Sequence, residues 1–432
     1  MTDYLRIADA LTAEIDAGRI RPGARLPPQR TFARRHRVAP STAARVYAEL
    51  ARRGRVVGEV GRGTFVRAGT PPADPALAEP AAAPIDLELN VLSVPGQDAL
   101  LARGLARLTR PDALGAALRP AGAAGTPPAR AAVAALWPGL TADGVRFAAG
   151  GRQALAAAVS TLVPPGARLA VDEFTYPPLL ALAARLRVTV VPVPADEHGL
   201  RPDALAAAHH RAPIAAVYVQ PTLHNPSGTT MPAHRRAALA ATGLPFVEDA
   251  VWAFLDPSAP PPLAVHAPDR TILVDGLSKR LTPGLTLGFA LAPPPLAEQL
   301  GSALRAGAWT ASGFALEAAT GWLTDGTAAT ITAAKRTDAA RRRARAAAAI
   351  PAARGGPHSS FCWWDLPEPW RAETFAAAAA RHGIALTPGA AFAARRGATP
   401  RAVRVALASP PHDVLARALT VLADLSRTAP PG

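Results

Sequence analysis

One stretch divides the chain before any other feature can be read: AGTPPADPALAEPAAAP, at residues 68–84, has no apolar period and is built largely from Pro and Ala. Proline lacks the amide proton that helices and central strands need, and such runs stay semi-extended, so residues 69–85 read as a linker. It separates a head, residues 1–68, from a body, residues 86–432. That division suits the length, since 432 residues exceed one ordinary core.

The head alternates helical and extended signals. Apolar residues at Leu5, Ile7, Ala8, Leu11 and Ile15 follow the helical period and stop at Gly18. After the turn RPGARLPP, Gln29–His36 reads as a short basic helix packed through Phe32 and Ala33. A second helix begins at Pro40-Ser41, buries Ala43, Val46, Tyr47 and Leu50, and ends at Gly54. Then RVVGEVGRGTFV gives two extended runs around Gly-Arg-Gly, the pattern of a two-stranded wing. The pair of helices is a helix-turn-helix candidate, whose second helix would enter the major groove with Ser41, Thr42 and Arg45 outward.

Charge agrees. Of a net +15, residues 1–70 supply fourteen arginines against six acids, an asymmetry that fits a polyanion such as double-stranded DNA. The bias to Arg over Lys is chain-wide, however, and only Lys279 and Lys335 are lysines. The run Arg341, Arg342, Arg343, Arg345 reads as a solvated helix face. Cys362 is the only cysteine, which excludes an intramolecular disulfide and a cysteine zinc cluster. His224, His358 and the His209-His210 pair read as loop or surface residues, without the spacing of a metal site. No apolar run is long enough for a membrane span and the first residues carry acids where a leader has bases, so the expectation is a cytoplasmic protein, nucleoid-associated when bound to DNA.

In the body, the short runs RLAVDE, VTVVPV, IAAVYVQP, PFVEDAVW and TILVDGLS alternate with Ala-rich helical stretches, the signature of a doubly wound α/β sheet. Chemistry gathers at their ends. A lysine that attacks an aldehyde must lose a proton, which Lys can do when buried and Arg effectively cannot, so Lys279 in LVDGLSKRLTPG is a candidate nucleophile. Asn225 in PTLHNPSG can donate to a phenolate oxygen. Asp249 in FVEDAVW can keep a pyridine nitrogen protonated. In AAGGRQALAAAV, Gly151, Arg152 and Gln153 open a helix whose N–H groups can hold a phosphate.

Two resemblances rest on these residues. Tyr4–Val66 resembles the GntR family of winged regulators, through GRIRPGARLPPQRTFA, VYAELARRG and GRGTFV. In that family residues matching Arg30, Thr42 and Arg45, and the wing positions Arg62 and Gly63, lie at the DNA. From Asp86 onward the chain resembles fold-type I aminotransferases, and the combination resembles the MocR subfamily. The resemblance implies a winged helix-turn-helix plus a large domain with a mixed, mostly parallel sheet and a smaller C-terminal α/β subdomain. It implies pyridoxal 5′-phosphate bound as an internal aldimine with Lys279, with Ser278 at the phosphate, Tyr176 of DEFTYPP stacked on the ring, and Arg404 of AVRVALAS pairing with an effector carboxylate. It also implies a homodimer that reads paired operator half-sites.

The chain departs from the family pattern at several points. Ala39-Pro40 replaces a familiar Ser-Arg, Trp252 stands where a Tyr often touches the ring oxygen, Thr286 replaces a phosphate-clamping Arg, and ALGAALRPAGAAG lacks an aromatic. Arg280 or Arg152 can compensate for Thr286. Plainer readings stand beside these: Tyr176 and Trp252 as packing, Ser278 as a cap, Arg404 as a surface ion pair. The expectation is therefore a regulator that senses the cofactor or an amino compound rather than an enzyme in physiological turnover. The alternatives are an aminotransferase with a DNA-binding appendage and a regulator that has lost the cofactor.

Overall fold

The computed structural model describes residues 3–21, 23–59, 63–67, 83–395 and 398–428. In the head, helices Asp3–Asp16, Gln29–Arg35 and Pro40–Arg52 pack around Ala8, Phe32, Ala33, Ala43, Val46, Tyr47 and Leu50. Pro40 occupies the first turn of the third helix, where its missing N–H costs no hydrogen bond. The Tyr47 hydroxyl donates to the Pro27 carbonyl at 2.5 Å, tying that helix to the turn before the second one. The wing strands Val56–Glu59 and Gly63–Val66 pair antiparallel, as the sequence implies. A third strand, Arg25–Leu26, joins Gly63–Val66; two residues carry no alternation for sequence reasoning to detect.

The body is a three-layer α/β unit with a smaller α/β lobe. Its main sheet runs Val145–Ala148, Gly288–Leu291, Thr271–Gly276, Phe246–Asp249, Ala216–Val219, Arg168–Asp172, Thr189–Val193. Gly288–Leu291 is antiparallel to both neighbours and the rest are parallel, giving the mixed, mostly parallel sheet. All five apolar runs become strands. The three central strands Ala216–Val219, Phe246–Asp249 and Thr271–Gly276 are buried at every residue, so they read as continuous apolar runs.

The smaller lobe has a sheet ordered Ala353–Arg354, Phe361–Asp365, Ala402–Ala406, Thr387–Pro388, covered by helices Ala372–Arg381 and His412–Arg427. Helix Thr327–Ala349, 23 residues and about 34 Å long at 1.5 Å per residue, connects the lobes. It corrects the reading of the arginine run. Arg341 and Arg345 are exposed, but Arg342 and Arg343 are buried. Arg342 donates to the carbonyls of Leu407 and Pro410 at 2.8 and 2.6 Å and pairs with Asp338. Arg343 donates to those of Ala353 and Gly355. Carbonyls at strand ends need donors, and a helix laid across them supplies guanidinium groups.

Among the described residues no helix is long and apolar enough to cross a membrane, and no group of His, Cys, Asp or Glu is placed to hold a metal. Cys362 is buried, and burial pushes its thiol up to about 12.

Gly288 is required by a close approach. A Cβ there would fall on the Gly150 carbonyl and 2.5 Å from the Gly151 nitrogen, both rigid backbone. Gly288→Ala is therefore expected to destabilise the body by about 1–3 kcal/mol, as overpacking does. A urea transition whose midpoint falls with unchanged slope checks it; an unmoved midpoint refutes it.

Candidate functional site

Parallel strands aim their carboxyl ends at one edge of the sheet, which is where such folds bind ligands. Here that edge gathers Gly150-Gly151 after Val145–Ala148, Tyr176 after Arg168–Asp172, Gln220 to Asn225 after Ala216–Val219, Asp249 at the end of its strand, and Lys279 after Thr271–Gly276.

Lys279 lies in the one-turn helix Leu277–Arg280. Its Nζ donates to the Asn90 carbonyl at 2.7 Å and sits 5.2 Å from the centre of the Trp252 ring. Burial first, then the positive charges of Arg404 and Arg152, push its pKa down to about 8. About a tenth of such amines are unprotonated at pH 7, against well under a thousandth at the ordinary value. The amine is thus a usable nucleophile. Trp252 is buried, edge-on to Phe361, so it both packs and floors the amine.

Asp249 is also buried. Its Oδ2 accepts from the Tyr218 hydroxyl and the Gln220 amide, both at 2.8 Å, and its Oδ1 from the Val251 N–H at 3.2 Å. Burial raises its pKa and these three donors counter the rise. Gln220 then accepts from the Asn225 N–H at 3.1 Å, so one side chain fixes Asp249 and Asn225 together. Tyr218 and Gln220 were not singled out by sequence. Their signal was available: they stand two apart on the strand bearing VYVQ, hence on one face with a polar group at the sheet edge. Asn90 has no such signal, since it contributes a carbonyl.

Arg404 is not a surface ion pair. Its Nη1 donates to Asn225 Oδ1 at 3.2 Å, its Nη2 to Thr387 Oγ1 at 3.3 Å and to the Glu88 carbonyl, and its guanidinium lies 5.0 Å from the Phe392 ring centre. Burial lowers its pKa to about 10, and its Nε is buried without a hydrogen-bond partner. Because Arg404 takes Asn225 Oδ1, the Asn225 Nδ2 is the donor left for a ligand.

Gly151 opens helix Gly151–Leu162, with Gln153 folded back so that a Cβ on Gly150 would lie 2.9 Å from Gln153 Oε1. Arg152 is exposed in that first turn and hydrogen-bonds Tyr176, which is half-buried at the head of helix Pro177–Arg185. The Ser278 hydroxyl makes only a long contact, 3.5 Å, with the Leu285 carbonyl. Thr286 is exposed. Arg280 is buried, 3.3 Å from Asp275 and 5.1 Å from the Phe254 ring centre, so its guanidinium is committed inside the body. Arg152 is the one of the two that stands at the helix mouth.

His224 is enclosed rather than superficial: it lies 3.7 Å from Asp172, with burial pushing the histidine down to about 4 and the carboxyl up to about 7.

An amine of lowered pKa, a buried carboxylate at a strand end, an amide donor left by Arg404, a glycine-opened helix and an unpartnered buried guanidinium Nε together fit pyridoxal 5′-phosphate, the cofactor implied by sequence.

On the head, Arg30, Ser41 and Arg45 are exposed and Thr42 is half-buried. Arg30, Arg34 and Arg37 line a groove between the second and third helices with Ala33, Val38 and Pro40. The Arg45 guanidinium stacks 4.0 Å from the Tyr4 ring centre, which orders it at the surface. Arg62 lies outside the described residues. Gly63 has φ 123°, and a Cβ there would sit 2.8 Å from Arg25 Nε, so local geometry alone demands glycine.

Residues 85–422 match the family model described as aminotransferase class I and II, and residues 3–66 that of bacterial regulatory proteins, gntR family. The uncharacterized HTH-type transcriptional regulator YjiR of Escherichia coli is 27% identical over 327 residues, 67% of this chain and 69% of that one. The uncharacterized HTH-type regulator YdeF of Bacillus subtilis is 35% identical over 38% of this chain and 36% of its own length. The pyridoxine biosynthesis regulator PdxR of Corynebacterium glutamicum is 36% identical over 35% and 34%. The chain thus spans about a third of the length of these last two relatives. Among solved structures, the alpha-aminoadipate aminotransferase LysN of Thermus thermophilus superposes with TM-score 0.72 at 23% identity, covering 79% of this chain and 92% of that one. The Pyrococcus horikoshii kynurenine aminotransferase gives 0.73 at 21%, covering 79% and 90%. At these identities the likeness is one of fold.

The placement of the two arginines generates a contrast. Arg152→Gln is expected to weaken pyridoxal 5′-phosphate binding about ten-fold or more, the worth of a hydrogen bond to a charged group, with little change in stability. Arg280→Gln should do the reverse, leaving Asp275 buried without its cation. Cofactor titration and thermal melts of both variants decide it; equal effects would refute the assignment.

Proposed function

We propose that this chain, which belongs to the aminotransferase class I and II family and carries a gntR-family head, is a DNA-binding transcription regulator whose body holds pyridoxal 5′-phosphate on Lys279 and senses the cofactor or an amino compound. The observation that carries the reading is the site at the strand ends, where Lys279, Asp249 and Asn225 converge in a chain that also bears a basic winged helix-turn-helix.

When bound, the cofactor supplies an aldehyde and an electron-withdrawing ring. The protein's residues do the rest. Lys279 offers a partly unprotonated amine. Asp249, held by Tyr218 and Gln220, would keep the ring nitrogen protonated; Asn225 would donate from Nδ2 to the ring oxygen, and Tyr176 would pack on the ring. Gly151, Arg152, Gln153 and Ser278 would hold the phosphate at the helix start, where aligned N–H groups favour an anion. Arg404 receives an effector carboxylate through its unpartnered Nε, exchanging the Glu88 carbonyl for a second contact.

DNA is held at the head by Arg30, Ser41, Thr42, Arg45, Arg62 and Gly63, with phosphate contacts that release counterions. A homodimer would place two heads on paired half-sites. Trp252 and Thr286 change the site on either side of the ring, which favours sensing over turnover, while the retained Lys279, Asp249, Asn225 and Arg404 keep transamination as a second reading. Steady-state assays over a panel of amino acids separate the two.

Two measurements test the proposal. Purified protein with pyridoxal 5′-phosphate should show a visible or near-ultraviolet band that Lys279→Ala abolishes. Operator affinity, measured on genomic fragments the protein itself selects, should differ about five-fold or more between cofactor-free and loaded protein, since couplings of this kind span about 1–3 kcal/mol. Identical affinity and geometry in every ligand state would sink the sensing claim.

A further inference from the structure

The chain has two lysines among forty-seven basic residues, and the fold brings them side by side. Lys335, on helix Thr327–Ala349, has no exposed surface. Its Nζ donates to the carbonyl of Lys279 itself at 3.0 Å and to that of Leu281 at 2.6 Å. The Lys279 carbonyl lies in, and the Leu281 carbonyl just past, the one-turn helix Leu277–Arg280, where backbone acceptors have no partner further along the helix. A compact ammonium reaches two diverging carbonyls in a closed slot; a planar guanidinium fork needs more room and a different array of acceptors.

We propose that Lys335 is a positioning residue for Lys279, pinning the turn that carries it and setting a second positive charge behind its amine. Nothing in the sequence around Lys335, AAKRTD, marks it, and it lies fifty-six residues away from its partner. The cations that lower the Lys279 amine are Arg404 from strand Ala402–Ala406 and Arg152 from helix Gly151–Leu162; Lys335, from helix Thr327–Ala349, is itself lowered by Lys279 and repels it in turn, because the interaction between two titrating groups is mutual. The two guanidinium groups, and Lys335 whenever it is protonated, favour the neutral, nucleophilic form of the Lys279 amine. Lys335 feels the same pressure in return: burial and then Lys279 push it down to about 8. The consequence for cofactor capture rests on the reading of Lys279 given above; the effect on the amine itself does not.

Two lysines make the test direct. Full-length protein without cofactor, labelled with carbon-13 at lysine Cε, should give two side-chain signals, and Lys335→Met should remove one and assign the other. In wild type the Lys279 signal is expected to titrate near 8; in Lys335→Met its midpoint should rise by about one unit, and capture of added pyridoxal 5′-phosphate at pH 7.5 should slow about ten-fold. Lys335→Gln, which can donate to a carbonyl without charge, should keep the fold while still raising the midpoint, and it serves if the Met variant fails to fold. An unmoved Lys279 midpoint in a folded variant overturns the inference and leaves Lys335 a packing residue. A wild-type protein that shows no cofactor band defeats the proposed function, while the titration still decides the role of Lys335.

Discussion

A primary amine largely withdrawn from water is the constraint on which the body's arrangement depends. A buried cation is costly when its protons lack acceptors, and the fold offers Lys279 one main-chain carbonyl and Lys335 two, fewer than the three protons an ammonium carries. Lys279 donates to Asn90, and Lys335 donates to Lys279 and Leu281. Asn90 belongs to the first described segment after residue 82. That segment starts at strand Ile85–Asp86, paired parallel with Ile384–Ala385 of the smaller lobe. Asp86 accepts from the N–H groups of Glu88 and Leu89, the Glu88 carbonyl accepts from Arg404, and the Asn90 carbonyl accepts from Lys279. The root of the linker is thus wired to both the amine and the guanidinium of the site. A ligand that engages either donor leaves a carbonyl of that segment to find another partner, at a cost of about 1–3 kcal/mol if it stays buried.

The legible parts of the fold were those with strong local periodicity. Tyr4 to Val66 followed helical spacing, capping glycines and wing alternation closely enough that Gly18 and Gly54 appear with φ of 71° and 68° where the helices end. The five apolar runs became strands: the three central ones are buried along their whole length, and the edge run Thr189–Val193 keeps its β-branched residues while Thr189 is exposed. Val145–Ala148 and Gly288–Leu291 escaped notice. One is four residues containing an arginine, and the other opens on a glycine selected by contact with Gly150, a constraint written in the neighbour rather than the strand.

Within the site, residue type identified the groups whose chemistry is unusual, such as Lys279 among arginines, but not the ordinary groups that hold them. Tyr218, Gln220, Asn90 and Lys335 act through distance in space across long separations in sequence. The arginine run failed for a related reason. Arg342 and Arg343 face a lobe whose exposed carbonyls exist only after the sheet has formed, so alanine-rich surroundings gave no hint of burial.

How the head meets the body bears on the proposed sensing role. Gly23 stands against Ala377, a Cβ on it lying 3.3 Å from the alanine methyl, and Arg67 lies 3.9 Å from Glu373. Both body residues are on helix Ala372–Arg381, whose other side shares the core containing Ile384, the strand partner of Ile85. The head therefore rests on the same helix that backs the root of the linker. An ion pair at that distance, with Arg67 about a third exposed (side chain 32%), contributes on the order of 1 kcal/mol or less. The proposed regulation would need such weakness: a coupling of about 1–3 kcal/mol from a ligand bound at Lys279 and Arg404 would outweigh an ion pair of that size, whereas a large apolar interface would hold the head in one place whatever the site contained.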